Sequence, residues 1–91
     1  MSSFEVRRPH TMEKQELRDM ADGLADQLAS IHRVETRWNG DCMSVRGSGV
    51  DGKLELSDNE VVVRVRLGLL AAAFKPALQK EVTRYLDECL G

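Results

Sequence analysis

The side chains here most able to do chemistry are two cysteines, Cys42 and Cys89, and two histidines, His10 and His32. A thiolate is a nucleophile and a soft metal ligand, and an imidazole shuttles protons or holds zinc. Each role needs partners at set spacing, and the cysteines form no C-x-x-C pair. The histidines have no ligand-spaced cysteine or carboxylate beside them, so no zinc site is expected. His10 falls just before a helix start, and His32 just after the same helix, where a cation suits the dipole. Cys42 falls on a strand opposite Arg37, the kind of neighbour that activates a thiol. Nucleophilic catalysis also needs a base and an oxyanion donor, and neither is identifiable. Gly47-Ser48-Gly49 lies in a hairpin rather than between a strand and a helix, so it is not a phosphate loop. No catalytic residue, cofactor or metal is expected.

The elements that position these groups follow from periodicity. Phe4 and Val6 alternate with Glu5 and Arg7 in a short first strand, which Pro9 ends because it cannot donate to a ladder. Thr11 is placed to cap a helix from about Met12 to Ile31, with Glu13 and Glu16 favouring its positive end. Leu17, Met20, Ala21, Leu24, Ala25, Leu28 and Ile31 form its apolar stripe. Asn39-Gly40, Gly47-Ser48 and Asp58-Asn59 then suit three two-residue turns. Those loops pair Trp38 with Asp41, Val45 with Val50 and Leu56 with Val61.

In those registers Val34, Met43, Val45, Val50, Leu54, Leu56, Val61, Val63, Val65 and Leu67 all point one way. A one-residue slip would turn a strand's whole apolar set toward water, so the agreement argues for a four-strand meander. Leu69 to Phe74 runs without a polar break and suits a helical turn or two. Pro76 then starts or kinks a second amphipathic segment carrying Leu78, Val82, Tyr85, Leu86 and Cys89. The expected fold is α+β in the order β-α-β-β-β-β-α. Its five-stranded antiparallel sheet runs one, five, four, three, two, with two helices on the apolar face. The whole chain, 1–91, is expected to be a single domain.

Composition narrows the partners. The chain has 91 residues, a formal charge of -2, 31% charged and 42% hydrophobic side chains. That size leaves room for one core and little for a deep cleft. Its pI near 5.6 argues against non-specific nucleic-acid binding by the chain as a whole. The N-terminus shows no apolar signal-peptide core, and no run approaches the roughly 20 residues of a membrane span. A cytoplasmic location is the expectation.

Three surfaces emerge. Leu69, Leu70 and Phe74 belong to a segment apolar all round, of which a two-layer domain can cover only part, leaving a candidate interaction surface. Arg8, His10 and Trp38 are the nearest polar groups to the mouth of any pocket between sheet and helices. The outer sheet face carries Arg7, Arg33, Arg37, Arg46, Lys53, Arg64 and Arg66 against Glu5, Glu35, Asp51 and Glu55, seven basic against four acidic, or +3. Of these, Arg37, Arg46, Arg64 and Arg66 are the candidate anion-binding set. The face offers no stacking aromatics of the kind sheet-based RNA readers use. Strands one and two are edges, which Arg7, Arg33 and Arg37 are placed to guard against pairing; the alternative is an edge paired with a second copy in a homodimer.

Arg8-Pro9-His10, Trp38 before Asn39-Gly40, Ser48-Gly49-Val50-Asp51-Gly52, Leu67-Gly68-Leu69-Leu70 and Lys75-Pro76 follow one another at characteristic spacing. In this ordered series the chain resembles the polyhydroxyalkanoic acid system proteins, small bacterial proteins associated with polyester storage-granule genes. The likeness runs from Val6 to about Leu90. It implies a cytosolic protein connected with polyhydroxyalkanoate granules or granule proteins, and it supplies no catalytic residue. The leading expectation is a non-enzymatic binding protein acting through Leu69, Leu70 and Phe74. The alternatives are a carrier or simple enzyme for hydroxyacyl ligands, and an anion binder using the arginine-rich face.

Overall fold

The computed structural model describes residues 2–31, 33–47 and 49–90, so the expectations for His32, Ser48 and Gly91 lie outside the described residues. The order is β1 (Ser2–Pro9), α1 (Lys14–Ile31), β2 (Glu35–Asn39), β3 (Cys42–Gly47), β4 (Val50–Leu56), β5 (Glu60–Leu67), a 3-10 turn (Ala72–Phe74) and α2 (Lys75–Leu90). The strands form one antiparallel sheet, β1-β5-β4-β3-β2, as the alternation of directions implies. Both helices lie on its apolar face, α2 along β1 and α1 across β4.

Two of the three hairpin frames differ from the turn chemistry. Asp58-Asn59 turns as expected, with Leu56 opposite Val61. Trp38, however, lies opposite Met43 rather than Asp41, and Asn39 opposite Cys42, so the first loop is Gly40-Asp41. Val45 lies opposite Gly52 rather than Val50, and that ladder runs on to Gly47 opposite Val50. Positive φ values sit on Gly40 at 63°, Gly47 at 152° and Gly49 at 79°, and Asn39 stays in the ladder. Each partner shifts by two residues, and with a period of two every side chain keeps its expected face. Arg37 consequently lies opposite Ser44, and Cys42 opposite Asn39 and Glu55, so the expected Arg37–Cys42 opposition is not formed.

Helix α1 begins at Lys14, and Thr11 is not its cap. His10 takes over the approach to the helix. Its backbone N–H donates to Asn59 O at 3.0 Å, its Nδ1 accepts from Met12 N–H at 3.1 Å, and its Nε2 lies 2.7 Å from Ser57 O. With Nδ1 accepting, Nε2 carries the proton and donates to Ser57. The buried ring thus ties the β4–β5 turn to the helix start, and the first helical bond runs from Leu17 N–H to Glu13 O.

The helices meet at Tyr85, whose hydroxyl donates to Met20 O at 3.0 Å. Gly23 makes room for it, since a Cβ there would run into the Tyr85 hydroxyl. A mid-helix glycine costs about 1 kcal/mol relative to alanine, so this contact explains a residue that propensity disfavours. Burial, then the neighbouring Cys89, pushes the Tyr85 phenol above its ordinary value.

Candidate functional site

The surface with most to offer a partner is the connection from β5 to α2. Gly68 N–H donates to Gly49 O at 2.8 Å, and Ala71 N–H closes back on Gly68 O at 3.1 Å. Residues 68–71 therefore form a tight turn, and of the helical stretch expected over Leu69 to Phe74 only Ala72–Phe74 is helical, as one 3-10 turn. Ala71 anchors the turn: it is buried, and it lies beside Gly49, where a Cβ would stand 3.5 Å from the Ala71 methyl. Leu69 and Leu70 hold the two central positions, which project from any tight turn. They are 86% and 95% exposed, and Phe74 is 55% exposed. Pro76 has no N–H to give to Ala72 O, and Lys75 N–H donates there instead, which keeps Ala72–Phe74 in the tighter 3-10 form. Arg46 and Arg66 border Gly49 and Gly68 at the same end of the sheet.

The family model described as "Putative polyhydroxyalkanoic acid system protein" matches residues 4–90. The chain belongs to this family. No curated protein and no solved structure matches it significantly. The family description names the polyhydroxyalkanoic acid system and no residue or activity.

The other candidate groups of this family member are placed differently from the sequence expectation. Arg8 lies near the end of β1 and His10 just past it, while Trp38 sits on β2 at the far edge of the sheet, four strand spacings or roughly 19 Å away. They do not form one mouth. Arg8 instead donates from Nε to Asp87 on α2 at 2.7 Å. The space between sheet and helices is a void of about 20 Å³ lined by residues such as Leu24, Leu28, Met43 and Leu78, and none of the three expected groups borders it. That is room for about one water and not for an acyl chain.

The outer face is closer to neutral than the sequence count suggested. Arg33 lies before β2 and outside the ladder, and Glu60 joins the face as a partner of Arg7 at 3.1 Å. On the outer face of the strands six basic side chains then meet five acidic ones, leaving +1. Arg64 is held by Glu5 at 2.7 Å and Glu55 at 3.0 Å, which occupies it, and Arg46 approaches Asp51 only to 4.0 Å. Arg64 first, then Arg7, holds the Glu5 carboxyl below its usual range. Arg37 and Arg66 form no ion pair among the described residues.

A clamp between α1 and the first hairpin escaped the sequence reading. Lys14 bonds Asp41 at 3.0 Å, and Arg18 donates to Gly40 O at 2.8 Å. The Arg18 guanidinium also lies 4.2 Å over the Trp38 ring, whose Nε1–H donates to Asp22 at 2.9 Å. The signal was present in the four-residue spacing of Lys14, Arg18 and Asp22, which puts them on one helical face. Among the described residues no group of three His, Cys, Asp or Glu side chains could hold a metal, and no helix is long and apolar enough to cross a membrane.

Proposed function

We propose that this chain is a non-enzymatic accessory protein of the polyhydroxyalkanoate system. It acts as one domain in the cytoplasm and docks on the apolar polymer surface of the storage granule through Leu69, Leu70 and Phe74. The observation that carries this reading is the near-complete exposure of two adjacent leucines at the tip of a hydrogen-bonded turn. Side chains of this kind gain roughly 1.5–3 kcal/mol each on leaving water. Two leucines thus supply about 3–6 kcal/mol, suited to reversible attachment at many sites on one particle. The family description names the polyhydroxyalkanoic acid system, and a polyhydroxyalkanoate is an apolar polyester, which supports the choice of an apolar partner. A carrier role has less support, because the internal void is far smaller than a hydroxyacyl chain.

The test is sedimentation with protein-stripped granules. Wild type is expected in the pellet, and Leu70→Asp, with an unchanged circular dichroism spectrum, in the supernatant. The reading fails if both stay in the supernatant, or if both pellet equally.

A further inference from the structure

Strand β2 is the edge whose outer charges are left over. It pairs only with β3, and Glu35, Thr36 and Arg37 are all exposed. Neither Glu35 nor Arg37 makes an ion pair among the described residues. The opposite edge differs: on β1, Glu5 and Arg7 are engaged with Arg64 and Glu60, Arg8 with Asp87, and Pro9 has no N–H to offer.

The direction of the free backbone groups on β2 follows from its hairpin. Asn39 and Cys42 flank a two-residue loop, so they are a hydrogen-bonded pair, and alternation gives the pairs 37/44 and 35/46 the same status. The N–H and C=O groups of Thr36 and Trp38 therefore point away from β3, to the open edge. Unpaired groups of this kind are a template for another strand.

We propose that a second copy of this chain pairs along β2, antiparallel, about a two-fold axis at Thr36. In that register Thr36 faces Thr36 of the second copy and Trp38 faces its Val34, which uses the outward-pointing backbone groups. Glu35 then lies opposite Arg37 of the second copy, and Arg37 opposite its Glu35. These are non-hydrogen-bonded positions, where Cα atoms approach to about 4.5 Å and side chains interact most strongly. Moving the axis by one residue would set Arg37 against Arg37, or Glu35 against Glu35, so opposite charges select this register. An axis normal to the sheet keeps both helix layers on one side of a continuous ten-stranded sheet. The inference is independent of the granule reading.

Sedimentation equilibrium tests it with wild type, Glu35→Arg, Arg37→Glu and an equimolar mixture of the two variants, each checked for fold by circular dichroism. Each variant alone sets like charges opposite one another at two places, whereas the mixture restores both attractive pairs. Wild type is expected to be a dimer, each single variant to associate about tenfold or more weakly, and the mixture to dimerise again. A monomeric wild type at every concentration, variants that dimerise as tightly as wild type, or a mixture that stays monomeric would each overturn the proposal.

Discussion

Leu86→Ala is expected to lower the unfolding free energy by about 3 kcal/mol. Leu86 is fully buried on the inner stripe of α2, with Val82 and Leu78. That stripe is what holds α2 against β1. Truncation removes the transfer free energy of the lost methyl and methylene groups and leaves a cavity between two elements that cannot easily collapse. A chain of this size has about 5–13 kcal/mol of total stability, so the loss is a large share of it. Leu70→Ala is the matched control: the same change at a side chain 95% exposed should stay within about 0.5 kcal/mol. Urea unfolding distinguishes the two, with a lower midpoint at unchanged slope for Leu86→Ala alone. Equal shifts would mean that the burial described for α2, or the exposure of the turn, is wrong.

Gly47→Ala is the second large effect, about 2–3 kcal/mol. Gly47 has a φ of 152°, which side-chain-bearing residues rarely adopt. A Cβ there would also collide with the carbonyl oxygen of Arg33, a backbone atom that cannot swing aside. The Arg33–Val34 segment would have to move, and β2 begins directly after it. Gly49→Ala should cost less, about 1 kcal/mol, because it meets only the Ala71 methyl at 3.5 Å and bears the strain of a φ of 79° alone. Thermal melts rank the pair. Amide chemical shifts of Glu35–Asn39 should move in Gly47→Ala and stay in place in Gly49→Ala.

Most of the fold was legible because strand faces depend on parity, and parity survives an error of two in the partner. The turn chemistry pairs Val45 with Val50 rather than Gly52, yet Val45 falls on the expected side of the sheet, buried like Met43. The turn frames themselves were less legible, because Asn39 and Gly40 both tolerate a positive φ and only the geometry shows which one uses it. The helix start was hidden for a different reason. Thr11 has good capping chemistry, but the His10 ring accepts the Met12 N–H and draws the chain toward Ser57 and Asn59, contacts that no local pattern reveals.

The candidate surface was half legible. An apolar run bounded by Gly68 and Pro76 announced side chains that two layers could not all cover. Helix periodicity, however, could not show that Leu69 and Leu70 would take the centre of a turn. Arg8, His10 and Trp38 do not share one mouth, because the sheet order puts β1 and β2 at opposite edges, a relation that no local pattern reveals. The arginine-rich face is less basic than the count of seven against four, because Arg33 lies before β2 and Glu60, at the first position of β5, belongs to the face.

Hydroxyl-radical footprinting of the protein, free and bound to stripped granules, tests the proposed docking surface most directly. In the free protein Leu69, Leu70 and Phe74 should be oxidised readily and Leu86 hardly at all. On the granule, protection should be confined to residues 68–75, with β2 and the outer sheet face as reactive as before. Unchanged reactivity of Leu69 and Leu70 on bound protein, with protection elsewhere, would contradict the assignment of this turn as the part that meets the polymer.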